Sequence, residues 1–300
     1  MWPLIIPYGD PKTGKTLSTV RAYPGGFFIT VKGGLMCAKW MGLDVKVVET
    51  EEHNLGILDL IPLIEKAQHK YPAIIIDDFS IMCQEELAKC EKRSPGWQAY
   101  GMFNERVRKF QKACRAATNN CPVIITMHAQ PPREIEDKGK VVPLKGGPML
   151  PGRQLPKQFP TMADLVMRVV YDKKAVGWKN VYSTAVDADY ITGDRLAITP
   201  ETFPLNLREV LLLAGYDVPR PESLAFMDDW VEKISLKVCE ELANKRPKLK
   251  EILYPFVAQM EKEEIDVRHM RWIFADALDR AQLRKHNNNL IDNFIDTLQG

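Results

Sequence analysis

The segment Gly9-Asp10-Pro11-Lys12-Thr13-Gly14-Lys15-Thr16 follows the apolar run Trp2-Pro3-Leu4-Ile5-Ile6 and opens a stretch, Leu17 to Ala22, that can continue as a helix. A buried strand, a glycine-bounded loop and a helix, in that order, form the context in which the pattern G-x-x-x-x-G-K-[ST] binds phosphate. Gly9 and Gly14 allow the backbone to bend around an anion, so that amide N–H groups and the positive end of the helix point at it. The loop from Gly9 to Thr16, with Leu17 behind it, is therefore expected to hold a nucleoside triphosphate. Lys15 would reach the β- and γ-phosphates and the Thr16 hydroxyl would hold Mg²⁺. For the string alone, the plainer reading is a glycine turn beside two solvated lysines.

A second segment, Ala73-Ile74-Ile75-Ile76-Asp77-Asp78, narrows the choice. A run of β-branched residues suits a strand buried on both faces of a parallel sheet, and a carboxylate at its carboxyl end emerges where ligands bind. Asp77 fits the Mg²⁺-associated acid of a Walker B strand. By itself the run could be an ordinary strand ending in a polar turn. The two segments in this order, about 60 residues apart, specify a P-loop NTPase fold.

The rest of the first two thirds alternates strand and helix patterns. Phe27 to Val31, Val45 to Val48 and Pro122 to Met127 read as strands, while Leu55 to Lys70, Ile81 to Lys92 and Phe103 to Ala117 have helical spacing. That alternation predicts an α/β core with a mostly parallel sheet flanked by helices. Val166 to Tyr171 and Val181 to Val186 look like later strands joined by a hairpin through Lys173-Lys174. Pro131 to Pro160 holds seven prolines and four glycines without a period, so a long loop is expected there. Pro219-Arg220-Pro221 marks a break, after which amphipathic helix runs to the end. We read residues 1–218 as the core and 219–300 as a C-terminal helical domain.

Composition limits partners and compartment. The net charge of +2 over 300 residues names no partner, but it divides as +5 before Glu222 and −3 from there on. A polyanion would therefore meet the first part. The six cysteines include no C-x-x-C pair and no secretory leader is evident, which points to a reducing, cytoplasmic setting without a zinc site. No apolar stretch approaches the roughly 20 residues that span a bilayer, so no membrane partner is expected.

Several segments together resemble phage-encoded RecA-fold ATPases, whose best-described branch is the Sak-type single-strand annealing protein of the RecA/RadA superfamily. They are the two Walker segments, Trp97-Gln98-Ala99-Tyr100-Gly101 with the basic helix after it, the strand ending Thr126-Met127-His128, Pro148-Met149-Leu150-Pro151-Gly152, Ala163-Asp164-Leu165-Val166, and Thr192-Gly193-Asp194-Arg195. The similarity covers roughly Met1 to Gly215. It implies a RecA-like core, ATP and Mg²⁺ at the P-loop, assembly into a homo-oligomeric ring or filament, and single-stranded DNA as partner.

The resemblance also assigns roles and leaves gaps. RecA-type ATPases usually end the strand after the P-loop helix with a glutamate that orients the attacking water, whereas this chain has Lys32 near that position. Either Asp78 serves as base, or a glutamate from Glu49, Glu51 and Glu52 reaches in, or hydrolysis is slow; Asp78 could equally cap the helix that follows. His128 and Gln130 lie where related ATPases sense the γ-phosphate, or His128 is simply hydrogen-bonded at a strand end. Arg195 is either a finger for a neighbouring subunit's nucleotide or a surface partner of Asp194. In the loop, Arg133, Lys138, Lys140, Lys145, Arg153 and Lys157 against three acids suit DNA phosphates, or a solvated loop. Phe159 is its one aromatic residue. The C-terminal helices offer apolar residues such as Leu249, Ile252, Phe256, Trp272 and Ile273, for packing on one another or on a protein partner.

Overall fold

The computed structural model describes residues 1–41, 43, 45–137, 140–173, 179–198, 200–243 and 249–299. Five strands alternate with helices in the first half: β1 (Leu4–Gly9), α1 (Lys15–Ala22), β2 (Phe27–Thr30), α2 (Met36–Trp40), β3 (Lys46–Glu49), α3 (Leu60–Ala67), β4 (Ile74–Asp77), α4 (Phe79–Arg93), α5 (Trp97–Ala117) and β5 (Val123–Ile125). There follow β6 (Met127–Gln130), β7 (Arg133–Asp137), β8 (Lys140–Leu144), β9 (Gly147–Pro148), α6 (Leu155–Gln158), β10 (Leu165–Tyr171), β11 (Asn180–Ser183), β12 (Gly193–Asp194), β13 (Thr202–Pro204) and α7 (Leu207–Leu213). Three helices close the chain: α8 (Phe226–Ala243), α9 (Leu249–Lys262) and α10 (Val267–Gln299).

The main sheet runs β13-β11-β10-β1-β5-β4-β2-β3, parallel from β10 to β3 and antiparallel beyond β10. Its central strands are apolar up to their carboxyl-terminal residues because both faces are covered. Ile5, Phe28, Ile75 and Ile124 point into a cluster beneath α1, α7 and the C-terminal helices. Their neighbours Leu4, Ile6, Ile29, Ile74, Ile76 and Ile125 point into a second cluster beneath α3, α4 and α5. This is the expected P-loop NTPase core, with strands and helices within a few residues of the predicted bounds.

Two segments differ from expectation. Pro131 to Pro160 is not an aperiodic loop. β7 and β8 form an antiparallel ribbon with Arg133 opposite Leu144 and Asp137 opposite Lys140, β9 pairs with β6, and α6 turns the chain back. The ribbon's order comes from backbone pairing between a polar strand, β7, and a short apolar one interrupted by Pro143, β8, neither of which alternates, and its free edges accommodate that proline. Phe159 is wholly buried, its ring stacked on Phe79 at 5.2 Å between centroids. The predicted helix from Leu55 also starts later: a single 3-10 turn at Ile57–Asp59 precedes α3.

The segment from 219 onward packs on the core. Met227, Trp230, Val231, Ile234, Ile273 and Ala277 share one cluster with Val20, Phe28 and Ile75. A charged lattice reinforces the joint: Arg21 in the last turn of α1 binds Asp276 and, at 2.7 Å, Asp279 of α10. Asp276 also takes Arg220, and Asn206 donates to both aspartates at 3.0 and 3.2 Å. Arg280 binds Glu209 at 2.8 Å. Among the described residues no helix is long and apolar enough to cross a membrane.

Candidate functional site

The loop between β1 and α1 sits at the carboxyl end of the parallel strands, with one strand, β5, between β1 and the Asp77 strand β4. Gly14 caps α1 with φ 98°, a conformation that side chains with a Cβ rarely adopt, and a Cβ there would lie 2.7 Å from Leu205 Cδ2. Lys15 is buried, and its Nζ donates to the carbonyls of Gly9 at 2.9 Å and Asp10 at 2.8 Å. Burial pushes the Lys15 ammonium below its ordinary pKa, while Asp78, Asp77 and Asp10 push it back up. Thr13 Oγ1 donates to the Asp10 carbonyl at 2.9 Å and closes the loop's turn.

Thr16 and Asp77, 61 residues apart in sequence, meet in space: the Thr16 hydroxyl donates to both carboxylate oxygens, at 3.0 and 3.1 Å. Thr126, at the break between β5 and β6, donates to the same carboxylate. Burial raises the Asp77 carboxyl to about 6, with Asp78 adding to the rise and the hydroxyls of Thr126 and Thr16 and the Lys15 charge opposing it. Gly34 presses its backbone on this corner; a Cβ there would fall 2.1 Å from Thr30 Oγ1. A hydroxyl and a carboxylate are hard oxygen donors, which fits Mg²⁺ held beside phosphate.

Asp78 does two things. Its Oδ1 accepts the Ser80 amide at 2.8 Å and so caps α4, while Oδ2 lies 2.9 Å from His128 Nε2. Ser80 Oγ in turn accepts the His128 amide at 3.0 Å. His128 pairs with Gly9 across β1 and β6, so the Asp78–His128 pair stands at the mouth of the loop. The Asp77–Asp78 peptide is cis.

The other candidates lie further out. Glu51 is exposed and acts on Glu85, whose carboxyl burial raises and the Glu51 charge raises further. Glu49 accepts the Gly33 amide at 3.3 Å. Arg195 is at the amino end of the sheet, its amide on the Asp164 carbonyl and its guanidinium on the Thr161 carbonyl at 2.6 Å. That end is the length of β1, roughly 17 Å, from the loop, so Arg195 does not reach its own chain's site. The Asp194 carboxylate takes the amides of Leu196 and Ile198 instead of Arg195. Of the basic residues expected to meet DNA, Arg133 donates to the Gly152 carbonyl at 3.3 Å, Lys145 to the Asp187 carbonyl at 2.9 Å, and Arg153 is exposed. Lys138 and the Lys140 side chain lie outside the described residues.

One feature was not visible in the sequence. Trp97, 87% exposed, and Tyr100 stand on the first turn of α5, ring centroids 6.5 Å apart, facing Gly152, Arg153 and Lys157. They line an open groove of about 760 Å³. The two walls come from segments more than 50 residues apart, so no local pattern joins them.

Strand, glycine-bounded loop, helix, buried lysine and a paired hydroxyl and carboxylate make up the nucleotide-binding end of a P-loop NTPase fold. The family model described as AAA domain matches residues 4–196, well over half of the chain, and spans all of these features. The chain belongs to that AAA domain family. No curated protein matches it.

Proposed function

We propose that this chain is a Mg²⁺-dependent ATPase that binds single-stranded DNA and works as a homo-oligomer in phage DNA annealing or recombination. The observation that carries the ATPase reading is the meeting of Lys15, Thr16 and Asp77 at the carboxyl end of the sheet. Bound Mg²⁺ would neutralise phosphate charge. Thr16 and Asp77 would hold it, Lys15 would turn from the Gly9 and Asp10 carbonyls to phosphate oxygens, and the loop amides would fix the chain of phosphates. Asp78, whose Oδ2 lies 2.9 Å from His128 Nε2, would be the carboxylate that accepts a proton from the attacking water.

The groove between α5 and α6 supports the DNA half of the proposal. The exposed Trp97 ring and the half-buried Tyr100 ring beside Arg153 and Lys157 suit bases and phosphates of a single strand, because every base has a face to stack and every nucleotide a charge. Arg195, at the far end of the sheet, is available to a neighbouring subunit's nucleotide, which would tie assembly to turnover.

A second reading, a nucleotide-dependent assembly switch that scarcely hydrolyses, is favoured by Lys32 standing where a glutamate is usual and by Asp78 being engaged through both oxygens. ATP turnover with and without single-stranded DNA tests both. Stimulation by DNA supports the first reading, and negligible turnover with tight ATP binding supports the switch. Trp97→Ala with Tyr100→Ala should weaken oligonucleotide binding by about tenfold or more for unrelated sequences. Unaltered affinity in that double variant would remove the groove from the proposal.

A further inference from the structure

The metal corner gives the triphosphate site a direction. Thr16 and Asp77 place the metal and the terminal phosphates on the β5–β4 side of β1. A nucleotide threaded along the loop then carries its base to the other side of β1, where β10 and β11 stand. The loop is fastened to that side. A Cβ on Gly9 would lie 2.8 Å from Val169 Cβ of β10, and Asn180 Nδ2 of β11 donates to the Thr13 carbonyl at 3.2 Å.

Alternate residues of β10, Leu165, Met167 and Val169, face the cluster beneath α1. Tyr171 continues that face one step beyond Val169, past the edge of the core, and is 66% exposed. It pairs with Asn180 of β11, whose side chain donates to the loop's Thr13 carbonyl. An aromatic ring is thus held on a strand at a fixed height beside the loop, on the side to which the base must point.

We propose that the paired strands β10 and β11 are the nucleobase wall of the triphosphate site, with Tyr171 stacking on the base and Asn180 as the positioning residue that fixes this strand pair to the loop. The proposal rests on the triphosphate reading of Gly9 to Thr16. Stacking on one ring recognises a planar base and tolerates its identity, so the site takes nucleotides without strong selection among bases.

Calorimetric titration of the full chain with Mg-ATP and, separately, with Mg-tripolyphosphate tests it. Tyr171→Ala should weaken ATP about tenfold and leave tripolyphosphate unchanged, because only ATP carries a base. Tyr171→Phe should restore ATP affinity, since the ring rather than the hydroxyl makes the contact. Equal loss for both ligands, or unchanged ATP affinity in Tyr171→Ala, overturns the assignment while the phosphate loop stands. A wild-type chain that binds neither ligand overturns the phosphate-loop reading and the base wall with it.

Discussion

Asp78 shows how two roles on one carboxylate can be separated. Its Oδ1 holds the Ser80 amide and its Oδ2 faces His128. Asparagine is about as good an N-cap as aspartate, so Asp78→Asn should leave thermal stability almost unchanged. It removes the basic oxygen, and turnover should fall roughly 10²-fold or more with ATP still bound. Unchanged turnover in this variant, with loss in Glu51→Gln, would move the role to Glu51. Lys15→Ala makes a different prediction. It removes the buried ammonium proposed to bind the phosphates, so ATP should no longer raise the melting temperature while the circular dichroism spectrum stays native. A normal ATP-induced shift in Lys15→Ala would remove the residue from the site. The loop and Asp77 were legible because the motif is a local string with a fixed backbone use. Thr126, Gly34 and Asn180 were not, since each reaches the site through strand pairing or a close approach that spacing does not encode.

Among the elements, α10 is one of the C-terminal helices whose placement sequence patterning leaves open. Its apolar stripe showed that it packs on something, and the structure supplies α1 and the core through Arg21, Asp276 and Asp279. Such a lattice is illegible in sequence because its members lie some 255 residues apart. The ribbon of β7 and β8 is illegible for a related reason: pairing, not an alternating period, orders it. Removing one member of a buried pair leaves an uncompensated charge, so Arg21→Ala should cost about 3–5 kcal/mol in urea unfolding. The two aspartates titrate in opposite directions. Burial pushes Asp276 up, but Arg21 and Arg220 outweigh it and hold it down to about 2. Burial pushes Asp279 up to about 6, against the pull of Arg21. Because Asp279 binds its proton more tightly folded than unfolded, its contribution is full below about pH 4 and is lost as the pH rises through about 6. The stability of the wild type relative to Asp279→Asn should therefore fall between pH 4.5 and 7.5, by on the order of 2 kcal/mol. A difference that is flat or rises with pH would contradict the placement of that charge.

For the molecule as a whole, the nucleotide site and the aromatic groove share a rigid connection. Asp78 is followed by Phe79, whose ring stacks on Phe110 of α5 at 4.5 Å and on Phe159, just after α6, at 5.2 Å. The two helices that wall the groove are thus packed on the residue beside the proposed base. A shift of Asp78 on nucleotide binding would move both walls together, since a close-packed aromatic stack does not deform smoothly. If so, ATP should tighten oligonucleotide binding, and by linkage the oligonucleotide should tighten ATP by the same factor, about 5- to 150-fold for typical couplings. Fluorescence anisotropy with two unrelated oligonucleotides, with and without Mg-ATP, gives one factor, and calorimetry of ATP with and without oligonucleotide gives the other. Phe159→Leu keeps the core apolar but removes one ring from the stack, so it should shrink both factors together while each ligand alone binds nearly as before. A coupling factor of one in the wild type would show that the groove and the nucleotide site act independently. A factor that survives intact in Phe159→Leu would place the connection elsewhere, most directly along β6 and β9, which join His128 to the Gly152 wall by backbone.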